Sequence, residues 1–498
     1  MAFNLRKPPV LTPKHEAYPY QLDAVRAVQS LPYSAIFHEQ GLGKTKIAID
    51  LLLLWLHDDV VDTVFIITKK TLVQNWVEEL AAHSHVTPRV LSGNRRKNSV
   101  ALNSPVQVYI MNYEVISTNL DLMREFLGTC RVAGILDESQ KIKNPESVLA
   151  ECFHSLAGGF ERRVIMTGTP VANRPFDIWS QIKFLDNGKT FGDSFSDFKS
   201  TLDIPRYPTD ADEYSEKLAG VFGKIKPFSV RETKATAGLE LPNKIILTHF
   251  VELAPLQQVI YTSYRDEMAY QFNSREGYVY DDAEYVLKQL LRLVQCASNP
   301  LLVDETYVED PAKYTKLYAL LNEIDIHCNK AIIWTQFIRG VEWLSEKLKR
   351  YKPQMVHGDM SVDERNKSLK KFKTDSQCRI LVATPGAAKE GLTLTVANQA
   401  IFYDRGFSLD DYLQAQDRIH RISQTEECFV HNLIAQDTVD EWVDVLLNAK
   451  YQAAQLTQGD ISRDTFDVNF QCDLSSVLAR ILMPSNADNC KSLQRKIK

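Results

Sequence analysis

Two short stretches of the chain carry residues suited to phosphate chemistry. The first, HEQGLGKT, lies between the apolar run SAIF and the helical pattern KIAIDLLLLWL. Gly41 and Gly43, on either side of Leu42, let backbone amides curl around phosphates, and Lys44 adds a point charge. Thr45 offers a hydroxyl to Mg2+, and the helix start contributes its positive end. His38 stands where the strict G-x-x-x-x-G-K-[ST] pattern would have its first glycine. A glycine turn that happens to carry Lys-Thr is the bland alternative, and the flanking strand and helix patterns weigh against it. The second stretch, VAGILDESQ, is an apolar strand ending in Asp137-Glu138. In a nucleotide-hydrolysing lobe the first acid holds Mg2+ through water and the second orients the attacking water. Alone, such a pair serves equally well as a helix cap. A GKT turn upstream of a D-E strand end within one α/β stretch selects hydrolysis.

Chemistry of this kind needs strand ends and helix starts held together in one sheet. The first 185 residues alternate β-branched runs with helical patterns, which predicts βαβ units around a parallel sheet. The strand candidates are Ser34–Phe37, Thr63–Thr68, Val106–Met111, Val132–Asp137 and Val164–Thr167. Thr190 to Lys226 is aromatic, charged and proline-containing, and reads as a helical insertion; Tyr280 to Val303 has helical Leu and Val spacing. Alternation resumes at Ala331–Thr335, Arg379–Thr384, Gln399–Tyr403 and Cys428–Ile434, so two α/β lobes are expected, joined near residues 226 to 310. A polar tail follows Asn448, with an apolar segment, Leu474 to Met483, expected to dock as a helix.

The totals agree with a multidomain globular enzyme. At 498 residues the chain is too long for one core, and 44% hydrophobic with 24% charged is an ordinary balance. A net charge of −5 excludes a basic nucleic-acid coat, though not a local basic track. The eight cysteines are scattered singly from Cys130 to Cys490 without a C-x-x-C pair, which predicts a reduced intracellular chain lacking structural zinc. The run Ile47 to Leu56, broken by Asp50, is too short to cross a bilayer, and MAFNLRKPPVLTPKH lacks a secretory apolar core.

Around these sites the sequence resembles the Swi/Snf family of DNA-dependent ATPases, within helicase superfamily two, from about Tyr18 to Glu441. YPYQLDAV resembles the adenine-sensing segment, with Gln21 as the discriminating residue, and HEQGLGKT resembles DEMGLGKT, which itself lacks the first glycine. DESQKIKN matches the family's DEAH-x-x-K-N block, with Gln140 in place of the usual histidine; MTGTPVANRPFDIWSQIKFL resembles the LTGTP block through Trp179 and Phe184-Leu185. PFSVRETK, LPNK and LLRLVQCASNPLLV resemble the link into the second lobe, and AIIWTQF and VHGDMSVDERNKSLKKF the motifs after it. In QAQDRIHRISQ, Gln414, Arg418 and Arg421 keep the family's Q-x-x-x-R-x-x-R spacing; on a helix both guanidinium groups would then face one cleft. A surface salt-bridge face is the bland alternative there. GFSLDD replaces the usual Trp-Asn-Pro, and Ser423 the usual Gly.

The resemblance implies two RecA-like lobes with parallel sheets plus helical insertions. These are an ATP-binding lobe over 1–225 with its insertion near 190–225, a linker and helical region over 226–310, a helicase lobe over 311–447 and a helical tail over 448–498. It implies ATP and Mg2+ as cofactors, with Gln21 by the adenine, Gly41 to Thr45 on the phosphates, Thr45 and Asp137 holding the metal and Glu138 orienting water. Arg418 and Arg421 would stabilise transition-state charge from the second lobe. Track contacts are expected from Lys69, Lys70, Asn75, Trp76, Lys143 and Asn144 in the first lobe, and from Arg339, His357, Thr384, Lys389 and Gly391 in the second. Most would meet phosphate and carry no base specificity. Arg95-Arg96-Lys97 and Lys367, Lys370, Lys371 and Lys373 read first as plain exposed faces, with auxiliary basic patches as the alternative.

Within the family, GLTLT, QAQDRIHRISQ and NLIAQDTVDE most resemble the compact annealing-helicase and fork-remodelling branch. The expected activity is ATP-driven translocation on double-stranded or branched DNA by a monomer without a membrane segment. The expected location is the cytoplasm of a bacterium or virus-infected cell, or the nucleus in a eukaryote. Two other readings stay open: a motor that strips proteins such as polymerase from nucleic acid, and a weakly hydrolysing ATP-gated DNA-binding module.

Overall fold

The structure, a computed structural model, describes residues 10–171, 174–202, 211–239, 241–274, 283–388 and 393–462. The apolar segment Leu474 to Met483, together with Lys389 and Gly391, lies outside them. The chain divides into two units, the first built around Met1–Asp203, Glu213–Glu240 and Ala453–Arg463, the second around Leu241–Gln452.

Thirteen strands, β1 to β13, form two parallel sheets among the described residues. In the first unit they are β1 (Tyr33–Ile36), β2 (Thr63–Thr68), β3 (Arg89–Val90), β4 (Val108–Asn112), β5 (Val132–Asp137), β6 (Arg162–Met166) and β7 (Ser229–Val230), in the order β3-β4-β2-β5-β6-β1-β7. The central strands are buried on both faces, as parallel strands covered by crossover helices must be; all six residues of TVFIIT in β2 are buried. Register decides where the chemistry falls. Ile36 of β1 pairs Met166 of β6, which pairs Asp137 of β5, so the carboxyl ends of these strands lie level. Open α/β sheets bind ligands at that edge.

In the second unit β8 (Lys244–Val251), β9 (Ala331–Trp334), β10 (Gln354–Val356), β11 (Ile380–Ala383), β12 (Gln399–Phe402) and β13 (Cys428–Ala435) run in the order β10-β11-β9-β12-β13-β8. The stretch read from sequence as a linker therefore supplies an edge strand to each sheet, β7 to the first and β8 to the second. β3, β7 and β10 span only two or three residues, too short for a periodic signal. Helices Phe195–Thr201 and Ala211–Ile225 occupy the expected insertion. At the far end, Val439–Gln458 is a 20-residue helix, and Ala453–Arg463 is grouped with the first unit. No helix among the described residues is long and apolar enough to cross a membrane.

Candidate active site

Helix α1 (Pro19–Val28) begins with a capping box in which the Tyr18 amide donates to Gln21 Oε1 at 3.0 Å. The other end of the Gln21 amide reaches the phosphate-type loop: Nε2 donates to the Leu42 carbonyl at 3.1 Å and to the Tyr20 hydroxyl at 3.3 Å. Tyr20 also donates to the Leu42 carbonyl, at 3.0 Å. The residue expected to sense adenine is thus wired to the turn expected to hold phosphates.

That turn leads into α2 (Lys44–His57), with Gly43 as its N-cap at φ 70°. Its positive φ favours glycine, and a Cβ there would lie 2.5 Å from Gln21 Nε2 and displace that amide. Lys44, only 9% exposed, donates to the carbonyls of His38 at 2.9 Å and Glu39 at 3.3 Å. Phosphate oxygens would compete with those carbonyls for the ammonium. Thr45 is half-buried one position further along the helix. A second layer braces the loop: the Phe37 and Glu39 amides donate to the Val230 and Glu232 carbonyls, both at 2.8 Å. Arg231 donates to the Phe37 carbonyl and forms a two-pronged ion pair with Asp460.

Asp137 ends β5, and its Oδ2 accepts hydrogen bonds from Thr68 Oγ1 at 3.0 Å and from the Trp76 indole at 2.8 Å. Burial, then the Glu138 charge beside it, pushes its pKa up to about 6, while the Trp76 and Thr68 hydrogen bonds and Lys44 pull the other way. Glu138 sits at φ 55°, unusual for a residue with a Cβ, and Gln140 donates to its Oε2. The Gln140 Oε1 is buried without a partner. Thr45 and Asp137 present only oxygen donors, which suits Mg2+, and the turn over Gly41–Lys44 suits a polyphosphate.

Residues that sequence reasoning did not single out complete the first unit's site. Gln181, fully buried in helix Ile178–Asp186, accepts from Ser139 Oγ at 2.7 Å and donates to the Pro170 and Asp177 carbonyls at 3.1 and 3.0 Å. It ties the DESQ turn to the TGTP turn. Gly168 of that second turn packs on Gln40, whose Cγ would lie 2.8 Å from a Cβ at Gly168. The only sequence signal for Gln181 was its place inside WSQIKFL.

Trp76 requires a correction. Expected near the track, it is 1% exposed and turned inward onto Asp137, because it shares the buried face of α3 (Val73–His83) with Leu80. Its neighbours fit the expected face better: Lys70 is exposed, and Lys69 and Asn75 are half-buried. Lys143 is paired with Asp177 at 3.4 Å, and Asn144 is exposed, its Oδ1 accepting from the Glu146 amide at 3.2 Å.

In the second unit, the helix expected to carry both arginines ends earlier. It covers Leu409–Gln416, so Arg418 and Arg421 lie in the turns beyond it. Each Nε donates back to a carbonyl four residues earlier, Gln414 and Asp417, both at 3.0 Å, and Arg421 also reaches Thr393 Oγ1 at 3.0 Å. Arg418 is 1% exposed, which excludes the surface salt-bridge reading. Gln414 is fully buried and donates to Asp410 at 2.7 Å. Arg339 is exposed and pairs with Glu305 at 3.3 Å. His357 and Thr384, just past β10 and β11, are each 8% exposed and offer a track little surface.

The SNF2-related domain family matches residues 25–302, more than half of the chain, and the helicase conserved C-terminal domain matches residues 312–423. The chain belongs to the SNF2-related family. Its two parallel-sheet units are therefore RecA-like lobes of a superfamily-two ATPase. This SNF2-related chain is similar to an uncharacterized ATP-dependent helicase of Mycoplasma genitalium, 29% identical over 471 residues, or 91% of this chain and 42% of that one. It is also similar to the chromodomain-helicase-DNA-binding protein 1-like of Danio rerio, 27% identical over 449 residues, 85% of this chain and 42% of the relative. The chain thus spans about two fifths of the length of these curated relatives. A solved structure, the Sulfolobus solfataricus SWI2/SNF2 ATPase core in complex with dsDNA, is 24% identical, covers 99% of each chain and superposes with a TM-score of 0.43.

Proposed function

We propose that this SNF2-related chain hydrolyses ATP to move along double-stranded DNA and acts on forked or branched junctions. The observation that carries the reading is the level edge of the first sheet, where the Gly41–Thr45 turn, Asp137-Glu138 and the TGTP turn follow adjacent strands. Gln21 and the loop amides would bind the nucleotide, Lys44 would exchange backbone carbonyls for phosphate oxygens, and Thr45 and Asp137 would hold Mg2+. When bound, Mg2+ neutralises charge that builds on the phosphate oxygens. Glu138, held by Gln140, would orient the attacking water. Arg418 and Arg421 are the proposed transition-state cations, and Gln414 orders the turn that carries them. Lys69, Lys70 and Asn75 are the proposed track contacts of the first unit, with Lys143, Asn144 and Arg339 as further candidates. DNA as the track is supported by the name of the Danio rerio relative and by the motifs shared with the family.

Phosphate release measured without nucleic acid and with single-stranded, duplex, forked and four-way DNA tests the proposal. Glu138→Gln serves as the blank and is expected to lower turnover by about 10²–10⁴-fold. Strong stimulation by duplex or branched DNA, lost in the blank, is the expected result. Stimulation by single strands alone would refute the duplex track, and a fast rate without DNA would refute the coupling.

A further inference from the structure

The segment 69–75 contains the three first-unit side chains proposed to meet the track, Lys69, Lys70 and Asn75. It is bracketed in sequence by Thr68, the last residue of β2, and by Trp76, on the first turn of α3. Both brackets end on the same atom: Thr68 Oγ1 donates to Asp137 Oδ2 at 3.0 Å and Trp76 Nε1 at 2.8 Å. Trp76 is 1% exposed and Thr68 is fully buried, so neither bond is open to competition from bulk water. The backbone of the same residue is held separately, since Tyr113 donates its hydroxyl to the main-chain carbonyl of Asp137 at 2.8 Å. The segment is thus joined at both ends, through one residue each, to donors on a single carboxylate oxygen.

We propose that Trp76 and Thr68 are positioning residues that report occupancy of the 69–75 segment to the Asp137 carboxylate. Duplex DNA would thereby tune how well that acid holds Mg2+. The inference rests on the proposed DNA-stimulated ATPase and adds the route by which the track reaches the metal acid. Burial of Trp76 has a purpose under this reading: its ring packs in the first unit's core, while its one polar atom faces the site.

The test uses the full chain and Trp76→Phe, which keeps the ring and loses the N–H. Binding of a fluorescent ADP analogue is titrated with Mg2+, with and without saturating duplex. The wild type should need less Mg2+ when duplex is present. In Trp76→Phe that advantage should disappear, with half-saturating Mg2+ raised by about tenfold, the scale of one hydrogen bond to a charged group. Half-saturating duplex, measured without nucleotide and Mg2+, should stay the same while duplex-stimulated turnover falls. Thr68→Val supplies an independent version should Trp76→Phe fail to fold. A variant whose Mg2+ curves respond to duplex as the wild type's do would overturn the relay. So would a variant that loses affinity for duplex even without nucleotide and Mg2+. A wild type that no DNA stimulates would instead overturn the proposed function, and the two failures are distinguishable.

Discussion

Single side chains at the candidate site pull in opposite directions, and pH separates them. His38 is 1% exposed, and burial, then the Lys44 charge, holds its pKa at about 4 against the usual 6.5. Unfolded chain takes up that proton first, so the contribution is intact above pH 6.5 and lost towards pH 4. Asp137 is the reverse: its folded pKa of about 6 lies above the usual 3.8, so the folded form takes up the proton first and gains stability as pH falls through 6. The two linkages therefore oppose each other as the pH falls. Chemical denaturation between pH 7 and 4 should therefore show Asp137→Asn losing stability on acidification and His38→Gln gaining it, relative to wild type. Parallel curves for both variants would contradict this. Gln140 gives a second prediction at this scale. Because its amide holds Glu138 Oε2 and Glu138 sits at φ 55°, Gln140→Ala should slow DNA-stimulated turnover by about tenfold or more while leaving nucleotide affinity unchanged. Steady-state kinetics beside equilibrium nucleotide binding separates the two effects.

Among elements, the connection that matters most joins turns rather than strands. Gln181 reaches from helix Ile178–Asp186 to the DESQ turn and to the Pro170 carbonyl, so one buried amide sets the spacing of two loops at the sheet edge. Gln181→Ala would leave a buried hydroxyl and two carbonyls short of partners, at about 2–4 kcal/mol. A melting curve of the variant would read the loss directly. The contact between Gly168 and Gln40 predicts a rescue: Gly168→Ala should destabilise by about 1–3 kcal/mol through overpacking, and adding Gln40→Ala should recover most of it. Strict additivity of the two substitutions would show that they do not touch.

Over the whole molecule, sequence distance is a poor guide to which unit a segment serves. Arg231 and Asp460 are far apart in the chain, yet their side chains are 15% and 14% exposed and paired within the first unit, where Arg231 also holds the Phe37 carbonyl beside the phosphate-type turn. Removing one partner of this partly buried pair leaves a poorly solvated charge, so Asp460→Ala should weaken the first unit by about 1–2 kcal/mol. Denaturation followed by a probe in that unit, with the second unit's transition unmoved, is the expected pattern.

Periodicity and turn chemistry made the long central strands legible, because a parallel strand buried on both faces is a nearly unbroken apolar run: β2 and β5 carry the bounds read from sequence, Thr63–Thr68 and Val132–Asp137. The G-L-G-K-T turn and the D-E strand end were legible for the same local reason, since glycine placement and strand-end acids are fixed by the few residues around them. The inward turn of Trp76, the buried bridge of Gln181 and the return of Asp460 to the first unit were decided by tertiary structure alone. Each depends on which partner lies across a core or a sheet edge, and hydrogen bonds between residues tens to hundreds of positions apart leave no periodic trace in a single chain.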